Sequence, residues 1–126
     1  MPENSYTERA VNTFLDIIPK TKLEQFCRQW KITELALFGS VLRPDFRPDS
    51  DVDMLVTFAG DAHWSLLDHV RMEAEMARLI DRPVDMLTRR AVEKSYNWLL
   101  KQEILQSAQV LYSHHIFAQI ERISNR

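Results

Sequence analysis

Leu37-Phe38-Gly39-Ser40, followed after ten residues by Asp51-Val52-Asp53, is the stretch whose reading decides the fold. Gly39 is one of two glycines in 126 residues. It closes an apolar run (Leu35, Ala36, Leu37, Phe38) and precedes a serine, a pattern that predicts strand, tight turn and helix start. Glycine suits that turn because it accepts positive φ and lets the backbone come close to a ligand. Ser40 could then offer its hydroxyl and the following amides to a phosphate at the helix start. Downstream, Ser50-Asp51-Val52-Asp53-Met54-Leu55-Val56-Thr57-Phe58 reads as a second strand. Residues two apart in a strand project from one face, so Asp51 and Asp53 point together. Paired carboxylates repel, and a divalent cation with oxygen ligands relieves that repulsion. A phosphate cradle beside a cation-binding pair points to nucleotide chemistry.

Around this centre, strands alternate with helices. Val11, Phe14, Leu15 and Ile18 recur at helical spacing behind a capping box, Ser5 to Glu8, and Pro19 ends that helix. Thr21 to Glu24 reads as a second capping box, with Leu23, Phe26, Cys27 and Trp30 as the apolar stripe. A first strand is expected over Glu34 to Phe38, with a short helical turn at Val41 and Leu42 and a polar loop from Arg43 to Ser50. Val52, Met54, Val56 and Phe58 form the apolar face of the second strand, with the aspartates on the other. Ser65 and Asp68 cap a helix to about Ile80, whose expected core stripe is Leu67, Val70, Ala74 and Ala77. A third strand carries Asp85 between apolar neighbours. One long helix is expected through Val92, Tyr96, Leu99, Leu100 and Ile104, then a short strand at Val110 to Tyr112 and a terminal helix from His114 to Arg126. The expected fold class is α/β (α+β), a small mixed sheet covered by helices on one side.

The pattern Gly39-Ser40, ten residues, Asp51-x-Asp53, with Asp85 as third strand carboxylate, resembles the motif of the polymerase-β-type nucleotidyltransferases. The short chain resembles their minimal bacterial members, the MNT antitoxins that accompany HEPN-domain toxins. The resemblance covers roughly residues 32 to 112 and implies a single domain over 1–126: a helical extension (1–31), the catalytic core (32–112) and a C-terminal helix (113–126). It implies catalysis on Asp51, Asp53 and Asp85, the same three holding two Mg2+ ions, and nucleotide binding by Gly39, Ser40 and Arg43. It further implies transfer of AMP from ATP to a tyrosine hydroxyl of a cognate HEPN RNase toxin, in a hetero-oligomer with that toxin. Two alternatives stay open: a non-catalytic antitoxin acting by occlusion, and a small-molecule, antibiotic-type nucleotidyltransferase. Pro44 departs from the small residue or glycine that many relatives carry after the arginine.

Composition sets the frame. Apolar content of 45% and charged content of 27% are ordinary for a globular domain. A net charge of -2 argues against direct nucleic-acid binding, which normally leaves a basic excess. One cysteine, Cys27, excludes an internal disulfide, and no apolar run or leader pattern points to a membrane, so the expected location is the cytoplasm. Cys27 reads as core, and Asp45 and Asp49 as turn formers between prolines. His63, His69, His114 and His115 lack zinc-type spacing. Trp30, Trp64 and Trp98 are expected to pack, with base stacking by Trp64 as the rival role. Arg89 and Arg90 are expected close to the site, with nucleotide contact and surface placement equally open.

Overall fold

The computed structural model describes residues 12–43, 47 and 50–114. The predicted cap at Ser5 to Glu8, Val11, the loop aspartates 45 and 49, Pro44 and the terminal helix beyond His114 fall outside them. Helix α1 (residues 12–17) leads into α2 (Lys20–Gln29), β1 (Ile32–Phe38), a single 3-10 turn (Gly39–Leu42) and β2 (Val52–Phe58). Then follow α3 (Leu66–Ile80), β3 (Val84–Thr88), α4 (Arg89–Glu93), α5 (Trp98–Ser107) and β4 (Gln109–Ser113). The strands form one sheet in the order β3-β2-β1-β4. β1 runs antiparallel to both neighbours, whereas β2 and β3 are parallel, joined by the α3 crossover. The sheet is mixed, as expected.

Alternation along the strands builds two cores on opposite faces. Leu35, Leu37, Val52, Met54, Val56 and Met86 face α1, α2 and α3, and with Phe14, Ile18, Leu23, Phe26, Cys27 and Trp30 they form the main core. Ala36, Phe38 and Leu55 project the other way and pack with Val92 of α4 and Ile104 of α5. Helices therefore cover both faces, a correction to the one-sided expectation. The second face is split along its length: carboxylates occupy the start of β2, and Leu55 and Leu87 further along give α4 and α5 a surface to bury.

Three helix readings are corrected. Thr21 does not cap α2, because the helix already begins at Lys20 behind Pro19, whose side chain makes no capping bond. Proline's fixed φ suits a helix start without one. The buried stripe of α3 is Met72, Met76 and Ile80, whereas Leu67 and Val70 are 59% and 52% exposed. Both stripes obey helical spacing, so periodicity alone could not choose the phase. The Ser65–Asp68 capping box is present as read. The expected long helix is broken between α4 and α5, where the Asn97 side chain caps α5 by accepting from the Leu100 N–H. Tyr96, in the break, is fully exposed, and Trp98 is exposed rather than packed. Among the described residues, no helix is long and apolar enough to cross a membrane.

Truncating Met76, which is fully buried, to alanine should cost about 2–5 kcal/mol of unfolding free energy in denaturant titrations. Leu67→Ala on the same helix should stay within about 0.5 kcal/mol of the parent.

Candidate functional site

The register of the central strands assembles the site. Phe38, the last residue of β1, lies opposite Asp53 in β2, which in turn lies opposite Asp85 in β3. Asp53 and Asp85 therefore share one face of the sheet as direct cross-strand neighbours. Asp51, immediately before β2, is exposed, Asp53 is half-buried and Asp85 is exposed. The Asp53 carboxyl is held above its ordinary range, first by burial and then by the negative charges of Asp85 and Asp51. Asp51 and Asp85 thus each lie close enough to act on Asp53. Among the described residues, no three His, Cys, Asp or Glu side chains are gathered tightly enough to hold a metal ion by themselves.

Gly39 follows Phe38 with φ +77°, and a Cβ built on it would stand 2.6 Å from Asp53 Oδ2. Two demands converge there: the left-handed backbone, and room for a carboxylate oxygen where any other residue has a side chain. Ser40 is next, and the Arg43 N–H closes the turn on the Ser40 carbonyl. The turn has four residues, so donors here are individual amides rather than the accumulated dipole of a long helix. A cavity of about 330 Å³ opens beside it, lined by Gly39, Leu42 and Arg43 together with Glu103, Gln106 and Ser107 of α5 and Gln109. The structure thus brings Arg43 to the glycine. The α5 contribution was missed in the sequence, although Glu103, Gln106 and Ser107 stand at i, i+3, i+4 spacing and form a polar stripe.

Other candidates move away. Arg89 begins α4 beyond β3, and Val56 pairs with Thr88 while Asp53 pairs with Asp85. That places Arg89 four residues past Asp85 along the chain, about 13 Å at strand spacing. Its guanidinium lies 4.0 Å from Glu34 and 3.7 Å from Glu93. Trp64 donates to the Trp30 carbonyl at 2.8 Å and meets the Trp30 ring edge-on at 5.1 Å, which makes it a packing residue. Cys27 is buried, and burial pushes its thiol far above the usual range, as fits a core residue.

With this geometry in hand, the comparisons with known proteins agree on a family. Residues 19–111 match the nucleotidyltransferase domain model, and the chain belongs to that family. Within it, the chain is 34% identical over 89 residues to a Methanocaldococcus jannaschii protein named as a protein adenylyltransferase, covering 71% of this chain and 89% of that one. Its fold is similar to a toxin–antitoxin structure with AMP-PNP, with TM-score 0.58, 22% identity and coverage of 85% of this chain and 86% of the other. It is also similar to the structure of a tri-AMPylated Shewanella oneidensis HEPN toxin with its MNT antitoxin, with TM-score 0.51, 20% identity and coverage of 79% and 74%. The last two likenesses concern the fold.

Two measurements follow from the geometry. Gly39→Ala should destabilise the chain by about 1–3 kcal/mol, since it meets both the strained φ and the Asp53 oxygen. Asp53→Asn should do the reverse at neutral pH. A raised folded-state pKa means that the folded chain holds this proton more tightly than the unfolded chain does. That contribution is complete below the ordinary aspartate range, near pH ~3.9, and is lost as pH rises through the folded value. Asp53→Asn should therefore melt above the parent at pH 7, with the difference closing as the pH falls to that range in thermal scans.

Proposed function

We propose that the chain transfers AMP from ATP to a hydroxyl on a partner protein, a tyrosine of a HEPN-type RNase toxin, and thereby neutralises it. The observation that carries this reading is the carboxylate face: Asp53 and Asp85 in register on adjacent strands, Asp51 two residues from Asp53, and Gly39 against the Asp53 oxygen. The naming of the Methanocaldococcus jannaschii relative supports the adenylyl group. The likeness to the AMPylated-toxin complex supports the acceptor.

Asp51, Asp53 and Asp85 fit divalent cations: they are hard oxygen donors, and burial followed by the charges of Asp85 and Asp51 raises the proton affinity of Asp53. Mg2+ commonly takes one or two carboxylates and completes its shell with water and substrate phosphates, so three protein ligands need not converge beforehand. When bound, two such ions would stabilise charge on phosphoryl oxygens and acidify an acceptor hydroxyl. The chain's own residues do the rest. Gly39 lets the backbone approach the outer phosphates, the Ser40 hydroxyl and the turn amides donate to them, and Arg43 reaches them from the adjoining cavity. Asp85, exposed on β3, faces the acceptor and takes the hydroxyl proton. The acceptor oxygen then bonds to the α-phosphorus, the bond to the bridging oxygen breaks, and pyrophosphate leaves.

Intact mass of the partner protein, co-expressed with this chain or with its Asp51→Asn, Asp53→Asn form, tests the reading. AMP adducts that appear only with the parent chain are expected. An unmodified partner in a stable complex would overturn catalysis in favour of occlusion, and turnover on a small hydroxyl compound without any partner would overturn the protein acceptor.

A further inference from the structure

Among the described residues, the edge strand that carries Asp85 has β2 on one side and no strand on the other. At the residue after Asp85, the outward backbone groups are nevertheless taken up. The Met86 N–H donates to Glu73 Oε2 at 2.7 Å, and the Met86 carbonyl accepts from His69 Nε2 at 2.9 Å. His69 and Glu73 are one turn apart on α3 and stand 3.8 Å from each other. Two side chains of α3 thus stand in for a neighbouring strand along one residue of β3.

We propose that His69 and Glu73 are positioning residues for Asp85, a role that rests on reading Asp51, Asp53 and Asp85 as the cation site. Asp53 and Asp85 are like charges directly across the β2–β3 pair, an arrangement that destabilises strand pairing. The strand free to yield is the edge strand, since β2 is held on both sides. The bond that the Met86 N–H donates to the Glu73 carboxylate, with His69 on the carbonyl of the same residue, opposes that yielding where it would begin. The buried Met86 side chain anchors the same residue in the main core. The carboxylate of Asp85 is therefore delivered opposite Asp53 before any ligand arrives, as preorganised sites require. Hydrogen bonds that orient first ligands typically change metal affinity by about 10–100-fold when removed.

The test is a Mg2+ titration of the full chain at a fixed concentration of a non-hydrolysable ATP analogue, read as the rise in melting temperature. Glu73→Leu should raise the Mg2+ concentration at half-maximal stabilisation by about tenfold or more. Glu73→Gln, which keeps an acceptor oxygen, should restore it to within about twofold. Glu75→Leu serves as the structural control, because Glu75 accepts from the Trp30 indole at 3.1 Å and has no bond to β3. It should lower the melting temperature and leave the Mg2+ midpoint in place. Should Glu73→Leu fail to fold, His69→Leu carries the same measurement, with His69→Gln as its rescue. A parental midpoint in Glu73→Leu or His69→Leu, or an equal shift in Glu75→Leu, would overturn the positioning role. Asp53→Asn separates the two claims: a parental Mg2+ response there removes the cation site itself, whereas its loss beside a parental response in Glu73→Leu removes only the positioning.

Discussion

The close approach of the Gly39 backbone to the Asp53 carboxylate is the constraint on which the site depends. It follows from strand pairing, since Phe38 and Asp53 are opposite one another and Gly39 is the next residue out. A side chain at 39 would occupy the carboxylate's position and would also have to adopt φ +77°. The turn at Gly39 and the Asp53 carboxylate are therefore one unit. Displacing either displaces the other.

That unit also explains why one face of the sheet is divided. Near the turn, Asp51, Asp53 and Asp85 keep the surface polar. Further along the same strands, Leu55 and Leu87 are covered by α4 and α5. The smaller core fixes α5 over the sheet, and its polar stripe of Glu103, Gln106 and Ser107 becomes the wall opposite Gly39 and Arg43. Hydrophobic burial at one end of the face thus places polar groups at the other. The larger core on the opposite face provides the rigid floor, with Val52, Met54 and Met86 buried directly behind the carboxylate row.

An acidic row of this kind is held at a cost in stability. The raised proton affinity of Asp53 records that burial and two neighbouring charges oppose its ionisation. Around it, β2 is paired on both sides, and the Met86 N–H and carbonyl of β3 are bonded to Glu73 and His69.

Much of this was legible in the residues themselves. The strand–turn–strand reading from Leu35 to Phe58, the Ser65–Asp68 cap and the strand at Asp85 rest on short-range rules: alternation, capping chemistry and glycine's access to positive φ. Those rules hold because their causes lie within a few residues. The buried phase of α3 was not legible, since Leu67, Val70 and Met72, Met76 both satisfy helical spacing and only the shape of the sheet surface selects the methionines. The break at Asn97 turned on a capping bond that competes with helix continuation. Arg89 followed strand three in sequence, yet a parallel strand carries it to the far end of the sheet. The sequence by itself determined that a glycine turn would end one strand and that Asp51, Asp53 and Asp85 would stand on or beside strands, because alternation and turn chemistry act within a few residues. Only the tertiary structure decided that Asp85 lies opposite Asp53, that α5 walls the cavity and that α3 secures the edge strand, because register and packing join residues far apart along the chain.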